Sequence, residues 1–126
     1  MKFIFAVSIV SAIIIFLVIT YLENQPFSCP DPSDLYSLSQ NPIYHHMAVY
    51  FDDNIQPHVK YNFMRTRLNY HFNNKWQCAY YSDSNSPVMA SIEEPTDGLT
   101  QEGTQWVDYH SEGVCVSSIE ACQVRK

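Results

Sequence analysis

The pattern of apolar and polar positions divides the chain at Leu22. Residues Phe3 to Leu22 (FIFAVSIVSAIIIFLVITYL) form twenty consecutive uncharged residues, flanked by Lys2 and Glu23. Twenty helical residues at about 1.5 Å each reach about 30 Å, the thickness of a bilayer's hydrocarbon core. A secretory signal has a shorter apolar region, about 7–15 residues, and a small-x-small cleavage site. Here Val18-Ile19-Thr20 is a poor match to such a site. The pattern therefore predicts an N-terminal membrane helix over 1–22, a signal anchor in preference to a cleaved signal peptide. Lys2 stays inside and Glu23 marks the outer flank, so the remaining residues lie outside the cytoplasm.

After Leu22 the periodicity changes. Residues 23–42 (ENQPFSCPDPSDLYSLSQNP) read as a stalk or linker, with an ordered part from Cys29. Asp31-Pro32-Ser33 is turn chemistry, and Ser33 is placed to cap a short turn through Leu35, Tyr36 and Leu38. From Ile43 the chain alternates. Ile43, His45, Met47, Val49 and Phe51 share one face of a strand that Asp52-Asp53-Asn54 ends. Val59, Tyr61 and Phe63 alternate next. The apolar parity then flips to Met64, Leu68, Tyr70 and Phe72, which predicts a bulge or break near Arg65–Arg67.

Asn73-Asn74 between that strand and Trp76, Cys78 and Tyr80 signals a hairpin, because Asn tolerates the positive φ of tight turns. Val88, Ala90 and Ile92 make a further strand. Residues 93–103 read as an acidic loop. Trp106–Tyr109 and Val114–Val116 read as a second hairpin around Glu112-Gly113, Ser118 as the cap of one helical turn, and Gln123-Val124 as an edge strand. No segment after residue 22 sustains a 3.6-residue period. The fold class is mainly β: a small antiparallel sheet or sandwich over 43–126, disulfide-bonded, preceded by one N-terminal membrane helix.

Composition sharpens this. The 46% hydrophobic content is inflated by the first 22 residues, which hold 18 apolar ones; the other 104 residues hold 40, eight of them tyrosines. The core is therefore expected to be aromatic and part-polar. The 104 residues after Leu22 hold 6 basic and 13 acidic residues, which argues against nucleic acid as a partner.

All four cysteines, Cys29, Cys78, Cys115 and Cys122, follow the apolar run, and an even number in an exported chain reads as disulfides. Of three possible pairings, Cys29–Cys78 with Cys115–Cys122 is favoured. The first pins the start of the domain to its central strand; the second closes the local loop CVSSIEAC. In the chain-entropy model these are worth about 4 and about 2.5 kcal/mol.

Chemistry-bearing patterns are sparse. His45, His46, His58, His71 and His110 show no chelating spacing; a metal site would have to draw His46, His58 and His71 together across strands, and the pattern points to no metal or other cofactor. No Gly-x-Ser-x-Gly elbow and no phosphate-binding glycine loop occurs. An enzyme would need His46 or His71 beside Asp52. The aromatic surplus points to recognition: Tyr61, Tyr70, Trp76 and Tyr80 on a sheet face, rimmed by Arg65 and Arg67. The competing use of those aromatics is to fill the core.

Cys29-Pro30 with Ser33-Asp34-Leu35, the central Trp76-Gln77-Cys78-Ala79-Tyr80, and the closing Cys115-Val116-Ser117 and Cys122-Gln123-Val124 together resemble a family of small exported bacterial proteins of unknown function. The resemblance implies an exported, disulfide-bonded domain and carries no catalytic residues. The long apolar run departs from that family's cleavable signal. The expectation is a non-enzymatic binding or accessory domain outside the cytoplasm, membrane-anchored through residues 3–22 or periplasmic or secreted if cleaved, serving an envelope or secretion assembly through a protein or small-ligand partner. A small secreted enzyme or inhibitor, and a purely structural envelope protein, are the alternatives.

Overall fold

The computed structural model describes every residue except Met1, Asn24, residues 70–74 and Asn85, with side chains of the first helix described over residues 7–21. That helix, α1, spans Lys2–Glu23. Among the described residues no helix is long and apolar enough to cross a membrane.

Strong alternation builds the sheet. β3 (Tyr61–Asn69), β4 (Lys75–Ser82) and β5 (Pro87–Glu93) pair in turn, all antiparallel. β2 (Met47–Phe51) adds to β5 and β1 (Ile43–Tyr44) to β2. On the other side β8 (Glu112–Cys115) adds to β3 and β7 (Val107–Tyr109) to β8. The order is β1-β2-β5-β4-β3-β8-β7, one seven-stranded antiparallel sheet. The acidic segment contains β6 (Thr100–Glu102), which pairs with β9 (Gln123–Arg125), the edge strand expected there. The fold is thus a sheet with a small added ribbon.

One face of the sheet is buried. Trp76, Cys78 and Tyr80 from β4, Val88, Ala90 and Ile92 from β5, Met47 and Val49 from β2, and Tyr61 and Leu68 from β3 form its core. Tyr61 and Leu68 differ by an odd number of positions, so a regular strand would send them to opposite faces. A register shift between Phe63 and Arg65 restores the parity, so the flip is a bulge within a single strand. The Asn73-Asn74 turn lies outside the described residues, but the strands on either side pair through Leu68 and Trp76.

Two turns differ from expectation. The alternating run from Ile43 to Phe51 is two strands folded at His45-His46, whose φ values are 48° and 66°. Residues 110 and 111 do the same between β7 and β8, with φ 48° and 67°, so that turn is His110-Ser111 and Gly113 lies in the strand. Positive φ at both central residues is the geometry that matches strand twist in two-residue hairpins. Histidine is among the residues that tolerate it, so the polar pair breaks an otherwise regular alternation.

From Phe27 onward the chain belongs to the domain. The Phe27 N–H donates to the Val124 carbonyl at 2.9 Å and the Val124 N–H returns the bond at 2.8 Å. Asp31 caps the 3-10 turn η1 (Pro32–Asp34), accepting from the Ser33 N–H at 3.0 Å, while the turn through Leu35 to Leu38 has Asp34, not Ser33, at its N-cap. The short helix α2 (Leu35–Gln40) buries Leu35 and Leu38 in the core. Near the other end of the domain, the Ser118 hydroxyl caps its turn by accepting from the Ala121 N–H.

The disulfides are Cys29–Cys78 and Cys115–Cys122, as the spacing favoured. Two bridges and no free cysteine fit an oxidising environment outside the cytoplasm.

Candidate functional site

The face opposite the core carries the remaining positions of the same strands. Register sets Tyr50, Ser91, Gln77, Arg67, Val114 and Val107 side by side across six strands. Arg65 stands one step along, opposite Ala79. Both arginines thus share the outer face. Arg67 Nε lies 4.0 Å from Glu112 Oε2, too long for a hydrogen bond, and Nε is buried without a partner. Lys75 Nζ sits 5.9 Å from the centre of the Tyr50 ring, within cation–π range.

The aromatics expected beside these arginines are elsewhere. Trp76 and Tyr80 are fully buried and Tyr61 is 7% exposed, so they fill the core and cannot form an open recognition face. Tyr70 lies outside the described residues. Strand alternation explains the split: Arg65 and Arg67 face away from Thr66 and Leu68, and it is the latter pair that meets Trp76 and Cys78. Among the described residues of the domain, the exposed aromatics are Tyr36, Tyr50, Tyr81 and Tyr109.

Tyr61 nevertheless borders a cleft. The β2–β3 loop, residues 52–60, is held at three points. Asp52 exchanges bonds with Met89, its carboxylate accepting from the Met89 N–H at 2.8 Å. Ile55 is buried. The Gln56 N–H donates to the Tyr61 hydroxyl oxygen at 3.1 Å. Between this loop and η1 lies a cleft of about 390 Å³ lined by Asp31, Ser33, Tyr36, Val59, Lys60 and Tyr61, among others. A smaller one of about 180 Å³ shares Val59 and Tyr61 and reaches Ser82, Ser84 and Ser86. A third, about 500 Å³ and polar, runs from Ser39 and Gln40 to Asp52-Asp53-Asn54.

The cleft beside η1 offers a carboxylate, an ammonium and a phenol beside apolar side chains. Hydrogen bonds from the Ser33 backbone N–H and hydroxyl hold the Asp31 carboxyl below its ordinary value, so it is ionised at neutral pH. The Ser33 hydroxyl is committed to that carboxylate at 2.7 Å. No histidine lines the cleft. His46 and Asp52 lie beyond opposite ends of the five-residue β2, so they do not converge; His71 lies outside the described residues. Among the described residues no three His, Cys, Asp or Glu side chains group to hold a metal. The arrangement can recognise a ligand with polar and apolar parts.

The sequence carries a signal on each side, since Asp31-Pro32-Ser33 reads as a turn and Asp52-Asp53-Asn54 opens the loop that supplies the other wall. Nothing in the linear pattern says that η1 and residues 55–61 meet. No family model, curated protein or solved structure matches this chain.

Proposed function

We propose that this chain is a membrane-tethered binding domain displayed outside the cytoplasm, non-enzymatic, engaging a protein or small ligand at the Tyr61 cleft. The observation that carries the tethering is the state of α1. Its large apolar side chains from Val7 to Tyr21 are between 50% and 69% exposed. Leaving such a side chain in water forgoes about 1.5–3 kcal/mol each, so a helix apolar all round calls for an apolar phase around it. The twenty uncharged residues Phe3 to Leu22 match the length of a lipid crossing. The two disulfides agree with residence on the oxidising side. The mixed lining of the cleft supports the binding role, and the resemblance to small exported bacterial proteins is consistent with it while naming no activity.

The test is carbonate extraction of membranes from cells expressing the full chain, followed by intact mass with and without reductant. The expected species stays in the membrane pellet, retains residues 1–22, and gains four hydrogens on reduction. A carbonate-soluble species lacking those residues overturns the tether.

A further inference from the structure

The connection between α1 and the domain is short. α1 ends at Glu23, the first charge after the apolar run, and Phe27 is already locked to Val124 by two backbone hydrogen bonds. Only residues 24–26 intervene. At roughly 3.5 Å per residue, Phe27 lies at most about 14 Å from the end of the helix whatever path the leash takes. A headgroup layer is roughly 5–7 Å deep on each side of the hydrocarbon core. A domain so tethered stands on its membrane, with the Phe27 end facing it.

That end has a defined surface. The His45 ring stacks on Phe27 with centroids 4.1 Å apart, and the Lys126 ammonium donates to the His45 carbonyl at 2.7 Å. Around them Ile43 is 59% exposed, and His45, His46 and Lys126 are exposed too. Arg125 is half-buried and paired with Glu102 at 3.1 Å, while its neighbour Lys126 is exposed. An apolar side chain beside an ammonium with spare N–H groups suits the boundary between phosphate and acyl chain.

We propose that the β1–β2 turn, with Ile43, His46 and Lys126, is a contact surface for the phosphate-bearing headgroups of the membrane that holds α1. This rests on the reading that α1 sits in a membrane. One consequence follows for the polar cleft. Asp52-Asp53-Asn54, which lines the polar cleft, lies at the other end of β2, about 17 Å away at roughly 3.4 Å per residue, so that cleft lies away from the lipid.

The experiment places the full chain in nanodiscs containing a gadolinium-chelating headgroup lipid and reads paramagnetic loss of amide signals. Residues 43–46 and 125–126 are expected to lose at least half their intensity while Asp53 and Ser84 keep theirs. The Ile43→Ser and Lys126→Glu chains, changed at exposed side chains, should stay in the disc and show at least twofold less loss at 43–46. Loss centred on 52–56, equal loss at both ends, or variants that behave like the parent overturn the headgroup contact. A chain that does not enter the disc overturns the membrane reading of α1, and this contact with it.

Discussion

The indole N–H of Trp76 donates to the hydroxyl oxygen of Thr66 at 2.6 Å, with both residues fully buried. Thr66 is also the cross-strand partner of Cys78 on one side and Cys115 on the other. One small polar side chain thus sits between the two disulfides and satisfies the largest ring in the core. Thr66→Val keeps the shape but leaves the indole donor without its acceptor, and an unsatisfied buried donor costs about 1–3 kcal/mol. Urea unfolding followed by tryptophan fluorescence should show that loss, and Thr66→Ser should recover part of it. A Thr66→Val chain as stable as the parent would remove the hydrogen bond from the account of the core.

Two tyrosines hold the segment around Cys29. Tyr80 donates to the Pro30 carbonyl at 2.5 Å and Tyr44 to the Ser28 carbonyl at 2.6 Å. Burial, with the nearby charges of Asp34 and Asp31, pushes the Tyr44 phenol up to about 12, and burial pushes Tyr80 up as well. A folded-state pKa above the unfolded value of roughly 10 means the folded chain holds the proton more tightly. The stability this contributes is fully present below pH 10 and is lost as pH rises through 12. Denaturation midpoints measured between pH 8 and pH 12 should fall across that window, with a shallower fall in Tyr44→Phe. An identical pH slope in that variant would show that Tyr44 is not one of the groups responsible.

The turn at His110-Ser111 holds two non-glycine residues at positive φ. Asn-Gly is the preferred pair for a two-residue hairpin because glycine meets no steric penalty there. The double substitution His110→Asn with Ser111→Gly should stabilise the domain by about 1 kcal/mol, read as a raised thermal midpoint. Destabilisation would mean that the side chains of this turn contribute contacts outweighing their backbone cost.

The bridges should differ in worth. Cys29–Cys78 closes a separation of 49 residues and Cys115–Cys122 one of 7. Chain entropy puts their removal at about 4 and about 2.5 kcal/mol. Replacing each pair by alanines and comparing denaturation midpoints checks the order. A larger loss from the short loop would place the stabilisation in native packing around Thr66 instead of in the unfolded chain.

Much of the sheet was legible from the alternation at 59–72, 76–80 and 88–92, since period two and a buried face leave few registers open. The disulfide pairing was legible from spacing. The strand break at His45-His46 was not, because a two-residue turn of tolerant residues keeps the apolar parity intact on both sides. The aromatic face was misassigned for a related reason. Tyrosine and tryptophan serve cores and interfaces equally well, and the bulge between Phe63 and Arg65 puts Tyr61 on the same buried face as Leu68.

By itself the sequence determined the local facts: an apolar run of membrane length, a β-rich remainder, four cysteines suited to two bridges, and a shortage of catalytic patterns. Those depend on residue type and short-range spacing, which folding does not alter. Tertiary structure alone decided that Tyr61, Trp76 and Tyr80 face inward while Arg65 and Arg67 face out, that η1 and the 52–60 loop border a cleft, and that Phe27 docks on Val124 four residues past α1. Each of these depends on long-range pairing, where burial of one face and closure of backbone hydrogen bonds select among arrangements that the linear pattern leaves equal.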